Sequence, residues 1–152
     1  MAIYSGHCHC GKLEASFETQ QTPRALGVRT CQCEFCRRHG AVNVSDPAGE
    51  SIINAKEGDV LRYRFALRTA DFLICRNCGV YAAAVTSEGD AIRSTLNVAG
   101  LRMMEFLGIA ERPMQYGAEN AEDRVARRAA KWTPTRFTDP ALARSCFGPH
   151  RS

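Results

Sequence analysis

Leu13, Ala15 and Phe17 alternate with Lys12, Glu14 and Ser16, a period of two that sends the two sets of side chains to opposite faces of an extended chain. With the run that begins at Ile3, and with Cys10-Gly11 between the two, the segment Ile3 to Phe17 predicts a β-hairpin. Similar short runs bounded by Gly, Pro, Asn or Asp predict strands over 25–31, 41–44, 51–55, 60–66, 72–75, 80–85 and 91–97. One helical turn is expected between Glu34 and Gly40. After Val98 the alternation stops, and Leu101, Met104, Phe106 and Leu107 suit a short helix. The sustained helical period lies at Ala121 to Trp132, where Ala121, Val125, Ala129 and Trp132 share a stripe, Asn120 serves as N-cap and Pro134 stops the helix. From Thr133 to Ser152 periodicity is lost, which predicts a tail lying on the domain or partly without order. The fold class expected is mainly β, with short helices and a C-terminal helix.

A chain of 152 residues that is 45% apolar can build one modest core and is short for two. Residues 1–110 are expected to form the domain, with 111–152 a helix and tail packed on it or extending from it. The start carries no basic segment followed by an apolar stretch, so the chain is expected in the cytoplasm with its thiols reduced. No apolar run approaches the roughly 18 residues of a membrane span, and no membrane partner is expected. The net charge of +4 raises nucleic acid as a partner, but the basic residues are scattered among acids. Only Arg124, Arg127, Arg128 and Lys131 gather, behind Glu119, Glu122 and Asp123. Acids first and bases last is the order a helix dipole favours, so a solvated helix face is preferred to a phosphate-binding stripe. Self-association is left open.

Seven of the eight cysteines form three clusters: Cys8-x-Cys10, Cys31-x-Cys33-x-x-Cys36 and Cys75-x-x-Cys78. Seven is one short of two closed four-thiolate sites. Structural zinc is saturated by four protein ligands, whereas reactive zinc keeps a position open. On a strand, Cys8 and Cys10 would share a face about 7 Å apart at Cα, with His7 and His9 on the other. Cys75 and Cys78 have knuckle spacing, and Gly79 and Gly11 can take the turn each pair requires. Joining the two pairs gives a staple that closes a long loop. Spacing also permits the middle cluster to join either pair; the division that uses two whole pairs is preferred.

That division leaves Cys31, Cys33 and Cys36 as a three-thiolate site. Sulfur donation makes such a zinc a poor activator of water and suits it to hold an incoming thiol as a thiolate nucleophile. Arg37, Arg38 and His39 follow directly and are candidates to attract an anionic thiol such as glutathione. The plainer reading makes them an ordinary exposed basic turn. His39 is also a candidate fourth ligand that would close the site, with His9 and Cys146 weaker ones. Cys146 otherwise reads as an isolated packed or surface thiol, and His7 and His150 carry no signal.

Gly6-His7-Cys8-His9-Cys10-Gly11, Cys31-Gln32-Cys33-Glu34-Phe35-Cys36-Arg37-Arg38-His39-Gly40-Ala41 and Cys75-Arg76-Asn77-Cys78-Gly79 resemble the glutathione-dependent formaldehyde-activating enzymes, a family shared with the domain of centromere protein V. The resemblance covers about residues 3 to 110. It implies a zinc-stapled fold of the β-tent type with two zincs per chain. Cys8, Cys10, Cys75 and Cys78 would hold the structural zinc, and Cys31, Cys33 and Cys36 the catalytic one. It further implies carbon–sulfur bond formation and cleavage, as in adding glutathione sulfur to formaldehyde to give S-hydroxymethylglutathione. Leu101 to Trp132 has no counterpart motif, and Tyr63, Arg64, Asn97 and Tyr116 are pocket candidates without an assigned role. The function expected is a zinc-dependent carbon–sulfur lyase acting on a thiol–aldehyde adduct. The alternative is a non-catalytic zinc module that recognises nucleic acid or a protein.

Overall fold

The computed structural model describes residues 1–88 and 91–146. Strand β1 (Ala2–His7) pairs antiparallel with β2 (Glu14–Thr19) in the register Ala2 to Thr19 through His7 to Glu14, the hairpin that the alternation predicts. Along β2 the expected faces separate: Ala15, Phe17 and Thr19 are buried while Glu14 is exposed. Instead of a strand from Ala25, Pro23–Leu26 forms a helical turn, α1, capped by the Thr22 hydroxyl, and β3 begins at Val28 and ends at Cys31. Pro at the start of a helix costs no internal hydrogen bond, which is why this stretch turns before it extends.

Helix α2 (Glu34–His39) is the predicted turn, closed by Gly40. Strands β4 (Asn43–Val44), β5 (Glu50–Asn54), β6 (Val60–Tyr63), β7 (Asp71–Cys75), β8 (Tyr81–Glu88) and β9 (Ala91–Asn97) follow. β6 stops at Tyr63, short of the expected Ala66, because Ala66 takes a positive φ of 52° in the loop that follows. The apolar residues after Val98 divide between α3 (Val98–Leu101) and a 3-10 turn at Met104–Phe106. A strand not foreseen, β10 (Glu111–Met114), lies parallel to β3.

α4 (Ala121–Lys131) begins at Asn120 as expected, with a reciprocal capping box between Asn120 and Asp123. The stretch expected as a tail is instead regular structure. Thr133–Phe137 is a strand, β11, parallel to β5 and antiparallel to β9, and Pro140–Cys146 is a helix, α5. Residues 147–152, the rest of that stretch, lie outside the described residues.

The eleven strands form one mixed sheet that runs β1-β2-β5-β11-β9-β4-β3-β10, with β6, β7 and β8 branching from β9. The fold is thus mainly β with short helices. The main core gathers Leu13, Phe17, Ile53, Leu73, Leu96 and Leu101 with Leu142 of α5. A second, smaller cluster of Cys36, Ala41, Ala70, Phe72, Tyr81, Ala84 and Trp132 supports the site described next. Asn97 joins the two regions by accepting from the Val42 amide at 3.0 Å and donating to the Tyr81 carbonyl at 2.8 Å.

Candidate metal centre and cavity

Two groups of thiols converge, each with its sulfurs within 4.8 Å of one another: Cys8, Cys10, Cys75 and Cys78, and separately Cys31, Cys33 and Cys36. The first pair meets by a different route from the one its spacing suggests. β1 has ended by Cys8, and a turn closed by the Gly11 amide on the Cys8 carbonyl at 3.1 Å folds Cys10 back. Gly11 and Gly79 take φ of 86° and 79°, the left-handed backbone that each cysteine turn needs. The knuckle closes with the Gly79 amide on the Cys75 carbonyl at 2.9 Å.

In this group Cys8 and Cys10 sulfurs stand 3.7 Å apart and Cys10 and Cys75 sulfurs 3.5 Å. A tetrahedral zinc bound at about 2.3 Å to each thiolate sets its sulfurs about 3.8 Å apart, so the four thiols fit that ion. The Leu13 amide points at the Cys8 sulfur at 3.3 Å and supplies the outer hydrogen bond that thiolate ligands use. The Asn77 side chain, then the Lys12 amide, lower the Cys10 thiol to about 6, while burial pushes Cys75 up to about 12.

The second group is built by a strand end and a helix start. Cys31 closes β3, Cys33 is the N-cap of α2 with its sulfur accepting from the Cys36 amide at 3.4 Å, and Cys36 is buried in the first turn. Thiol hydrogen bonds from Cys31 and Cys36 hold Cys33 far below the ordinary thiol range, while the bond with Cys33 pushes Cys31 up and the bonds with Cys31 and then Cys33 push Cys36 up. Three sulfurs sharing too few protons form a donor set that a dication relieves. The three-sulfur set also fits zinc, with one position of the tetrahedron left without a protein donor among the described residues.

The trio opens into a cavity of about 650 Å³. Its apolar lining includes Phe65, Phe72, Tyr81 and Trp132, with Tyr81 buried and its phenol raised by that burial, so it stays protonated at neutral pH. Its cationic lining is Arg29, Arg112, Arg124, Arg127, Arg128 and Lys131, with Glu119 as the one carboxylate among the described residues. Glu119 binds Arg127 at 2.8 Å and stands 3.4 Å from Arg124, and these guanidiniums hold its carboxyl below the usual range. Arg127 also stacks on Tyr116 at 3.6 Å. Arg128 donates to Thr69 at 2.6 Å and lies over Trp132, and burial, with Arg127 and Arg124 beside it, lowers it to about 10.

The glutathione-dependent formaldehyde-activating enzyme family matches residues 3–104. The chain belongs to that family. A crystal structure of a Rhodobacter sphaeroides protein, a structural-genomics target, aligns with it at 29% identity and a TM-score of 0.50, covering 72% of this chain and 97% of that one. No curated protein matches the chain. Membership implies glutathione-dependent formaldehyde activation, and the two thiol clusters can hold metal ions. No helix among the described residues is long and apolar enough to cross a membrane.

Against this family frame, the structure brings together all seven clustered cysteines in the four-plus-three division preferred from their spacing. His39 does not join the trio: it is exposed and rests on Phe35, ring centres 4.5 Å apart. Cys146 is buried in the main core and His9 is exposed; neither belongs to a thiol group. Arg37 and Arg38 are exposed on α2 and outside the cavity wall, with Arg38 paired to Glu34 at 3.4 Å. Of the pocket candidates only Tyr116 lines the cavity; Arg64 pairs with Asp71 in the interior and Asn97 is an internal tie.

The basic stretch of α4 is corrected from a solvated face to a cavity wall, for Arg124, Arg127, Arg128 and Lys131 all line it. The sequence signal was there in the i, i+3, i+4, i+7 spacing of these four, the same period that placed Val125 and Ala129 on an inner stripe. Arg29 and Arg112 left no signal, because they reach the cavity through the parallel pairing of β3 and β10.

Proposed function

We propose that the protein is a zinc-dependent carbon–sulfur lyase of the reducing cytoplasm, acting on the adduct of an aldehyde with glutathione or a related thiol. The mainly β fold is taken to be of the β-tent type. Cys8, Cys10, Cys75 and Cys78 would hold a structural zinc, and Cys31, Cys33 and Cys36 a catalytic one. The division near residue 110 is kept, with 1–110 as the domain and 111–152 as its C-terminal part: the first supplies the metal sites, and Arg112 to Trp132 of the second complete the cavity. The observation that carries the reading is the trio of thiols with no fourth protein donor among the described residues, opening into a cavity lined by cations.

Bound there, the metal would keep an incoming thiol deprotonated at neutral pH. The chain's own residues do the rest. The cationic residues draw an anionic thiol in and hold its charged end, and Phe72 and Tyr81, packed with the trio, exclude water from the sulfur. In the synthetic direction the sulfur pair attacks the carbonyl carbon, the carbonyl π pair moves to oxygen, and that oxygen takes a proton while the thiol's proton is released to solvent. Cleavage reverses each movement.

The test is exchange between formaldehyde, glutathione and S-hydroxymethylglutathione, followed by NMR with the zinc-loaded protein. Exchange above the uncatalysed rate is expected, with loss in Cys33→Ser and retention in Cys146→Ser. Equal rates with and without protein would overturn the reading.

A further inference from the structure

The cavity's charge is out of proportion to glutathione. That tripeptide brings two carboxylates and an ammonium, and the ammonium needs an acceptor. Glu119 is the cavity's one carboxylate among the described residues, and it already serves Arg127 and Arg124. Arg29, Arg112, Arg128 and Lys131 have no carboxylate partner among the described residues. Arg29 has Ser45 as its side-chain partner, at 2.5 Å. Arg128 is only 7% exposed, and its Nε has no hydrogen-bond partner. A buried guanidinium without a carboxylate partner is costly to keep unless an anion in the cavity offsets its charge.

Five of the six cations, Arg112, Arg124, Arg127, Arg128 and Lys131, lie beyond residue 104, where the family match ends. That charge therefore lies outside the matched segment, carried on β10 and α4. Guanidiniums presented together are suited to the several oxygens of a phosphate, which offers more negative charge in less space than a carboxylate and brings no ammonium.

We infer that Arg128, with Arg29, Arg112 and Lys131, forms a phosphate subsite, so that the adduct handled here carries phosphate on its thiol or on its aldehyde part. The inference rests on the lyase reading for the adduct but not for the subsite, which is tested without any thiol. Inorganic pyrophosphate is titrated calorimetrically into the zinc-loaded protein. Binding is expected to weaken about tenfold or more in Arg128→Met and in Lys131→Met, the scale of a lost charged hydrogen bond. Arg136→Met, on the outer surface where Arg136 pairs with Glu50, is expected to leave it unchanged.

Two matched pairs then locate the phosphate: 4′-phosphopantetheine against pantetheine, and glycolaldehyde phosphate against glycolaldehyde. In one pair the phosphorylated member should bind about tenfold tighter and lose that margin in Lys131→Met, a surface-exposed position whose replacement should fold. Absence of pyrophosphate binding, equal effects of Arg128→Met and Arg136→Met, or no margin in either pair would each overturn the subsite. Loss of exchange activity in Cys33→Ser with pyrophosphate binding intact would separate the two readings.

Discussion

At the scale of single residues, the thiol clusters differ in how well the chain protects them. Cys8 and Cys75 are buried and each group member has three sulfur neighbours, whereas the trio faces a cavity and lacks a fourth protein donor among the described residues. A chelator added to two-zinc protein should therefore remove metal in two phases, the first abolished by Cys33→Ser and the second accompanied by loss of structure in circular dichroism. A single phase would argue against unequal sites. Gly6 offers a second residue-scale test. A Cβ there would stand 2.2 Å from the Leu101 carbonyl oxygen, a backbone atom that cannot swing aside. Gly6→Ala should lower stability by about 1–3 kcal/mol, while Gly58→Ala, with nothing within 4 Å, should be near neutral; denaturant melts of the two compare them directly.

At the scale of elements, charge fixes how the chain enters α4. Glu119, just before the helix, carries both Arg124 and Arg127, and its carboxyl titrates lower in the folded protein than in the unfolded chain. A depressed carboxyl stabilises the fold above its unfolded value, about 4.3, and loses that contribution as pH falls through the folded value. Acid melts should show α4 loosening below about pH 4, and Glu119→Gln should flatten that limb; an identical acid limb in the variant would remove Glu119 from the account. Which elements could be read from the chain follows the same physics. The hairpin and α4 were legible because alternation and caps act within a few residues. β10 and β11 were not, because Pro113 and Pro134 break the local pattern and each strand is held by partners far along the chain, β3 for one and β5 and β9 for the other. The thiol clusters were legible because cysteine spacing is itself the signal. The cationic wall was legible only in part: the spacing of Arg124, Arg127, Arg128 and Lys131 carried its α4 share, whereas Arg29 and Arg112 join it only through the pairing of β3 with β10.

At the scale of the molecule, the last described residues close what the first ones build. β11 fills the place between β5 and β9, and α5 puts Leu142 and Cys146 into the main core. What fixes α5 is polar: Arg62 donates to the Ser145 carbonyl and Arg64 to the Cys146 carbonyl at 3.1 Å, while Arg64 pairs with Asp71 at 2.5 Å in the interior. Both side chains of that pair are nearly inaccessible to solvent. Removing one partner of such a pair leaves a buried charge to be hydrated, which typically costs about 3–5 kcal/mol. Asp71→Asn should thus release α5 before the sheet melts, because hydrating Arg64 requires moving the carbonyl it grips. Cys146 reports this directly. With zinc protecting the other seven cysteines, its thiol should react slowly in the native protein and many times faster in Asp71→Asn at temperatures where circular dichroism is still native. Unchanged labelling would mean that apolar burial of Leu142 alone holds the helix, and the paired replacement Asp71→Leu with Arg64→Met should then also leave it unchanged; if the ion pair is the latch, the double replacement restores slow labelling by removing the charge that drove the opening.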